Sequence, residues 1–600
     1  MDNQKTTEKN GITRRKMLTA LGAAGATLVA GGLLGAVPPG VTAQSVTQSV
    51  YGGNNGTSSG IALYNVKDFG AAGDGTADDT AAIQAALDYA YAQGGGTVYV
   101  PGGIYPITAT LSIFARTKLE LANDASIRRN SSNVKPMLTN GRKGQNTGPG
   151  YDGHGDIEIA GGTWDGNSAN FPTQFPHMSF AHAKNLVIRD TKIINNVNDH
   201  HIEVNSTNGC RILNVWFQGY LRTSREAEAI QIDLSTQSAF PHFGPWDNTT
   251  CKNVLVDGCT FIDCCRGVGS HSVVDGYNHS NIRIANCHFE NMSDNAIFAW
   301  NYDNLLVSGN TFQDCVSGID ISSRAGEVHN VIVSGNILRK INPKSDWGAI
   351  RVYTPVSVAT AGGRVHNIAI TGNIIEDVSG VVGIHANQIS RITISDNTVR
   401  NIGMSATGKG IYVGSCMEGA VVSGNHVTQC TERGIAVVQS QGPVNIVGNV
   451  VAAAKSHGIH SDSCQNVVCT DNAVTDTGKD GVGNGIYFLN THRSQMADNI
   501  ITNSAENNIN MKNSNDCNIN NNTLTGAPLK ISDGNQRHYV GGNIVRRGDK
   551  SMADGVIVAS SSSSIALLAN DLRLSGTSGA INDSGSETIK SGNLTDTGIV

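Results

Sequence analysis

The sequence predicts an all-β fold, a parallel β-helix of about fourteen coils closed at its N-terminal end by a helix. Two recurring phrases carry this prediction. From about residue 155, alternating apolar residues lead into a small residue, an asparagine and a further apolar pair, as in "VSGNTF" (307–312), "ITGNII" (370–375) and "VSGNHV" (422–427). The asparagines fall at 310, 336, 373, 397, 425, 449, 472, 499, 522 and 543, mostly 21 to 28 residues apart, with Cys259 and Cys287 in the same slot earlier. Roughly ten residues after each, Gly-Ile opens a second alternating run, as in "GIDIS", "GIHAN", "GIYVG" and "GIYFL". Composition agrees: 70 glycines and 5% aromatics favour short strands and turns over a helical bundle.

Each repeat therefore holds at least two period-two strands with no helix between them. One coil alone cannot bury its apolar face, whereas stacked coils close a continuous core. Asparagines stacked at one slot are expected to hydrogen-bond along the axis and to do no chemistry.

The segments follow in order. In residues 1–43, "TRRKML" precedes a soft apolar run and "VTA" at 41–43 offers a cleavage site, which resembles a twin-arginine export signal. The expectation is a secreted protein with no stable membrane anchor. Residues 44–60 read as a linker, 61–545 as the solenoid and 546–600 as a β-rich cap or tail. Asp79 or Thr80 starts a helix running to about 92, whose face Ile83, Leu87 and Ala90 covers the open coil edge. The twelve cysteines include no CxxC pair with zinc spacing, so thiols buried during folding are expected rather than a metal site. The net charge of −6 and pI of about 6.3 exclude the basic face of a nucleic-acid binder.

The stretch "YNVKDFGAAGDGTADDTAAIQAALDYAYAQGGGTVYVPGGIYPI" (64–107) resembles the opening module of the pectate-lyase-like superfamily, in the branch of rhamnogalacturonases, polygalacturonase-like hydrolases and related epimerases. The resemblance implies a right-handed helix and a polysaccharide partner. It leaves the reaction open, because hydrolases, lyases, epimerases and phage tailspikes share the fold.

Aligning coils on the inward residue of the second phrase (Ile202, Ile230, Val268, Ile297, Ile319, Ile350, Ile384) places the charges. One position on, the outward column reads Glu203, Gln231, Gly269, Phe298, Asp320, Arg351, His385. Three positions on, it reads Asn205, Asp233, His271, Trp300, Ser322, Tyr353, Asn387, and His201, just before the slot, is also expected outside. His200 is expected inside or in a turn, and Glu226 and Glu228 in a loop feeding the strand. Trp300, Phe298 and Tyr353 offer faces for sugar rings. Arg266, Arg324 and Arg351 offer bidentate donors to carboxylate or sulfate groups. The insertion "LSTQSAFPHFGPWDNTT" (234–250) lies on the same flank, where solenoids build binding faces.

Adjacent carboxylates suit glycoside hydrolysis, with Asp233 in one role and Glu203 or Glu228 in the other. His201, Gln231, Arg266, Trp300, Asp320, Arg324, Arg351 and Tyr353 then bind substrate, with no metal or other cofactor. A second reading is β-elimination from a uronic acid, with His271 as base and Arg266 or a Ca²⁺ ion neutralising the carboxylate. The run "EAIQIDLS", followed by "GVGSHS", resembles the base- and arginine-bearing region of alginate and chondroitin lyases, with His271 where that family has lysine. A third reading is a non-catalytic carbohydrate-binding helix. The polygalacturonase motifs are incomplete: "GHG" stands at 153–155, ahead of the charged coils, and two other motifs are missing.

Overall fold

In a computed structural model, residues 62–145, 147–222, 227–343, 348–405, 407–479 and 481–600 are described. The export signal, the linker and Glu226 lie outside them. Each full coil runs through three strands. Lys184–Arg189 belongs to the first sheet, Lys192–Asn196 to the second and Ile202–Asn205 to the third. Every strand pairs in parallel with its equivalent in the next coil, so the backbone of each coil finds partners above and below. Among the described residues the third sheet has eighteen strands. Fourteen of them start between 155 and 545, as the repeats predict, with Leu111–Ser112 and Leu138–Thr139 before them and Asp554–Val558 and Gly579–Asp583 after.

The helix spans Thr80–Ala92 and buries Ile83, Ala86, Leu87 and Ala90. Asp79 stands at the N-cap position without a side-chain cap bond, and the Asp78 carboxylate accepts the Thr80 N–H at 3.0 Å. Asp79 instead accepts the backbone N–H groups of Ala72 and Gly73, pinning the chain that leads into the helix. Both carboxylates are thus structural.

The asparagine ladder forms between the first and second sheets and extends past the expected positions to Asn570 and Asn593. Asn425 shows the pattern. Its Nδ2 donates to Asn449 Oδ1 at 3.0 Å and to Ile394 O at 2.9 Å, while its Oδ1 accepts from Asn397 N and Nδ2. Asn425→Ala orphans several buried groups at once, so a loss of about 2–4 kcal/mol is expected. A lowered urea midpoint checks this, and an unchanged one would show that the ladder is dispensable there.

The glycine of the Gly-Ile phrase has a steric cause. It points inward at the second sheet, where a Cβ on Gly318 would stand 2.4 Å from Leu338 Cδ2 and 2.6 Å from Ala349 O. On Gly410 it would stand 2.3 Å from Val427 Cγ1. The following isoleucine also points inward and is fully buried. The third-sheet strands therefore bend at this step, and two successive residues face the core. All twelve cysteines are buried thiols, none in a disulfide among the described residues.

Candidate active site

The bend decides what reaches the outer face of the third sheet. Downstream of it the expected columns hold: Glu203 pairs with Gln231, Asn205 with Asp233, Phe298 with Asp320, and Ser322 with Tyr353. Upstream the alternation is displaced by one. His201 occupies the inward slot of Ala229 and Ala296, so its expected outward placement is overturned. It is fully buried, stacked on His177 at 5.1 Å, with Nδ1 3.1 Å from the Tyr220 hydroxyl. Burial and the neighbouring His177 push its pKa well down. One residue earlier, His200, Glu228, Arg266 and Asn295 form an additional outward column. Glu228 begins the strand Glu228–Asp233 and is fully buried, so it is not a solvated loop charge.

These residues form one connected chain. Arg266 Nη1 donates to Glu228 Oε1 at 2.6 Å, and its Nε donates to Asp294 Oδ2 at 3.0 Å. The other Glu228 oxygen lies 3.1 Å from His271 Nδ1. His271 Nε2 lies 3.2 Å from Gln231 Nε2, which donates to Asp233 Oδ2 at 3.0 Å. With an acceptor carboxylate on Nδ1 and an amide donor on Nε2, the network assigns the proton of a neutral His271 to Nδ1. His200 stacks on His271 at 5.5 Å and contacts the Glu228 backbone oxygen at 3.1 Å. Gly269 makes the arrangement fit: a Cβ there would stand 3.1 Å from Glu228 Cγ.

The two carboxyl groups are driven apart in acidity. Burial raises Asp233 to about 7, the Glu228 charge adds to this, and His271 opposes it. Burial also disfavours ionised Glu228, but the His271 hydrogen bond and the His200, His271 and Arg266 charges outweigh it and hold the pKa below the usual value. Both groups lie beneath His271, whose side chain keeps 22% of its exposure.

Glu203 approaches this chain through His200, whose ring offers an atom within 4.8 Å of it, and lies beneath the 234–250 insertion. Phe240 and Phe243 of that insertion pack with Ala181. His242 Nε2 reaches Glu203 Oε2 at 3.2 Å, and the Ser179 hydroxyl donates to the same oxygen. Burial opposes ionisation, but these bonds and the nearby imidazole charges keep the Glu203 pKa below its ordinary value. His242 also lines a 350 Å³ cavity together with Lys135, Arg142 and Lys143.

A third group follows downstream. The Arg324 guanidinium lies 4.5 Å over Trp300 and donates to the Tyr353 hydroxyl. Arg351 lies 3.5 Å over Tyr353 and 3.4 Å from Asp320 Oδ2. Arg266 covers Phe298 at 4.0 Å. The aromatic rings therefore carry guanidinium groups where bare stacking faces are expected. Burial raises Asp320 to about 6 despite Arg351 and Arg324.

His200, Glu228 and His271 bring ligating atoms within 4.8 Å of one another, as do Asp199, His200 and Glu203. Two imidazoles and one carboxylate are not the oxygen cage that Ca²⁺ takes. Arg266 already neutralises Glu228.

The family model described as rhamnogalacturonase A/epimerase, pectate lyase-like, matches residues 63–320, and that for a right-handed β-helix region matches 356–524. Plasmin and fibronectin-binding protein A of Streptococcus pneumoniae is 26% identical over 438 residues, 64% of this chain and 56% of that protein. Mannuronan C5-epimerase AlgE5 of Azotobacter vinelandii is 73% identical over 45 residues, 8% of this chain and 4% of the epimerase. The chain thus spans just over half of the first relative and a small part of the second. A crystal structure of PfbA, a surface adhesin of Streptococcus pneumoniae, aligns with a TM-score of 0.49 at 22% identity, covering 64% of this chain and 90% of that one.

Proposed function

From the chain's membership of the pectate-lyase-like superfamily of right-handed parallel β-helices, we propose that it is a glycoside hydrolase acting on an acidic polysaccharide, with Asp233 and Glu228 as its working pair. The observation that carries this reading is their opposite displacement in acidity. A carboxyl with a pKa of about 7 keeps its proton near neutrality and serves as general acid. Ionised Glu228 serves as the base that activates water. His271 covers the pair, so substrate entry turns its ring aside. Arg324 and Arg351 supply cations for uronate or sulfate groups. Export through the N-terminal arginine-pair segment is part of the proposal. Among the described residues no helix is long and apolar enough to cross a membrane.

A specific observation favours β-elimination as the second reading: a carboxylate holds the proton of His271 on Nδ1, so Nε2, which accepts from the Gln231 amide, is the basic nitrogen that would take a proton from substrate. Arg266 would then be a poor neutraliser of substrate, because Glu228 and Asp294 already occupy it.

Incubating the protein with a panel of neutral, uronic and sulfated polysaccharides separates these readings. New reducing ends without an unsaturated, ultraviolet-absorbing sugar are expected. Unsaturated ends would replace the hydrolase reading with elimination. Binding without any product would leave a carbohydrate-binding helix.

A further inference from the structure

A second set of ligating side chains lies at the corner where the third sheet turns into the first. Glu327 sits in the turn before the strand Val328–Ser334, His329 is on that strand, and His366 is its register partner on Val365–Thr371. The two rings stack at 4.8 Å with 13° between their planes. Glu327 reaches both: Oε2 is 3.6 Å from His329 Nε2 and Oε1 is 3.7 Å from His366 Nε2.

These separations are too long for hydrogen bonds. They resemble the spacing between two ligands of one tetrahedral ion, roughly 3.4 Å when each bond is about 2.1 Å. Ligand atoms of all three residues lie within 4.8 Å of one another, and a small tilt of the rings completes the approach. Asp303, one coil earlier, stands behind His329. Its Oδ1 is 3.8 Å from His329 Nδ1 and accepts the His329 backbone N–H at 2.7 Å. Asn278 Nδ2 in turn donates to Asp303 Oδ2 at 3.1 Å and to Glu327 O at 2.6 Å. The same small tilt would close the 3.8 Å gap to Asp303, and a carboxylate on that ring nitrogen fixes the tautomer that leaves the other nitrogen for a metal.

This cluster differs from the histidines of the cleft. There a guanidinium stands 2.6 Å from the shared carboxylate and competes with any cation. Among the described residues the ion pairs of Glu327 are with the two imidazoles alone. Glu327 and Asp303 also line a 520 Å³ cavity, and the side chains of Glu327 and His329 are 56% and 43% exposed.

We propose that Glu327, His329 and His366 bind a divalent transition-metal ion of the Zn²⁺ type, with Asp303 orienting His329. The ion clips two adjacent coils and the turn before them. Ca²⁺ and Mg²⁺ do not suit a set with two imidazoles.

The test is calorimetric titration of the untagged full chain with Zn²⁺, with Co²⁺ absorption as a check on geometry. The wild type is expected to bind an equivalent that His329→Ala and His366→Ala each weaken at least about 100-fold. Asp303→Asn is expected to weaken it by about 10–100-fold. His288→Ala, on the second sheet, is expected to bind as the wild type does. Circular dichroism confirms that each variant is folded. The zinc-dependent rise in melting temperature is expected to vanish in the two histidine variants. Equal binding by wild type and both histidine variants, or no Zn²⁺ binding by the wild type, would overturn the site.

Discussion

Arg266→Ala is expected to destabilise the protein by about 3–5 kcal/mol, because it strips the cation from two buried carboxylates at once. Glu228 is fully buried and Asp294 is 2% exposed, so neither recovers solvation when the guanidinium leaves. The ring of Phe298 also loses its contact at 4.0 Å. The sign with pH follows from the charges. Without Arg266 one of the charges that hold the Glu228 pKa below its usual value is lost, so the folded variant keeps protons that the folded wild type has released. The deficit therefore grows from about pH 5 to pH 8. Thermal melts at the two pH values check this, and a loss that shrank at higher pH would contradict the account. Replacing Glu228, Arg266 and Asp294 together by apolar residues of similar volume is expected to restore most of the stability while the site is lost.

Asp233→Asn is expected to lower kcat/KM on the accepted polysaccharide by about 10²–10⁴-fold, the usual range for removing a positioned acid. The isostere keeps the shape and the Gln231 contact but cannot transfer a proton. The wild-type rate should fall as pH rises through about 7, where Asp233 loses its proton. Stability falls with rising pH as activity does, beginning lower on the scale. An aspartate raised from 3.8 to about 7 favours the folded state less and less as pH climbs across that window. Asp233→Asn escapes this penalty, so its melting temperature should exceed the wild type's above pH 7 and converge with it near pH 4. A variant that kept full activity would remove Asp233 from the mechanism.

The period-two alternation made the outer face legible wherever it runs unbroken. Gln231, Asp233, Asp320, Arg351 and Tyr353 stand in the expected columns because one register relates them all. The reading failed at the bend, where His201 turns into the core and His200 and Glu228 turn out. The signal was in the sequence: Ala229, Gly267, Ala296, Gly318 and Ala349 precede the inward slot, and a column of such small residues marks a crowded inward position. Asp294 stands just ahead of that column in its coil, in the turn, where period-two counting has no hold. His242 gives no comparable signal. It reaches Glu203 from an insertion outside the repeat, and only tertiary packing of Phe240 and Phe243 brings it there.

The asparagine ladder is also an electrical object. From Asn310 to Asn570 every side-chain amide donates to the asparagine oxygen of the following coil, and no link between two of these side chains runs the other way. Dipoles aligned in series add, as peptide dipoles do along a helix. The solenoid therefore has a polarity along its axis, with its positive pole toward the C-terminal end. Each amide also polarises the next, so the links strengthen one another. A break at Asn425 divides the series into two shorter columns, whereas a break at Asn593 only trims its end. The same chemical change should therefore cost more in the middle of the molecule than at its tip.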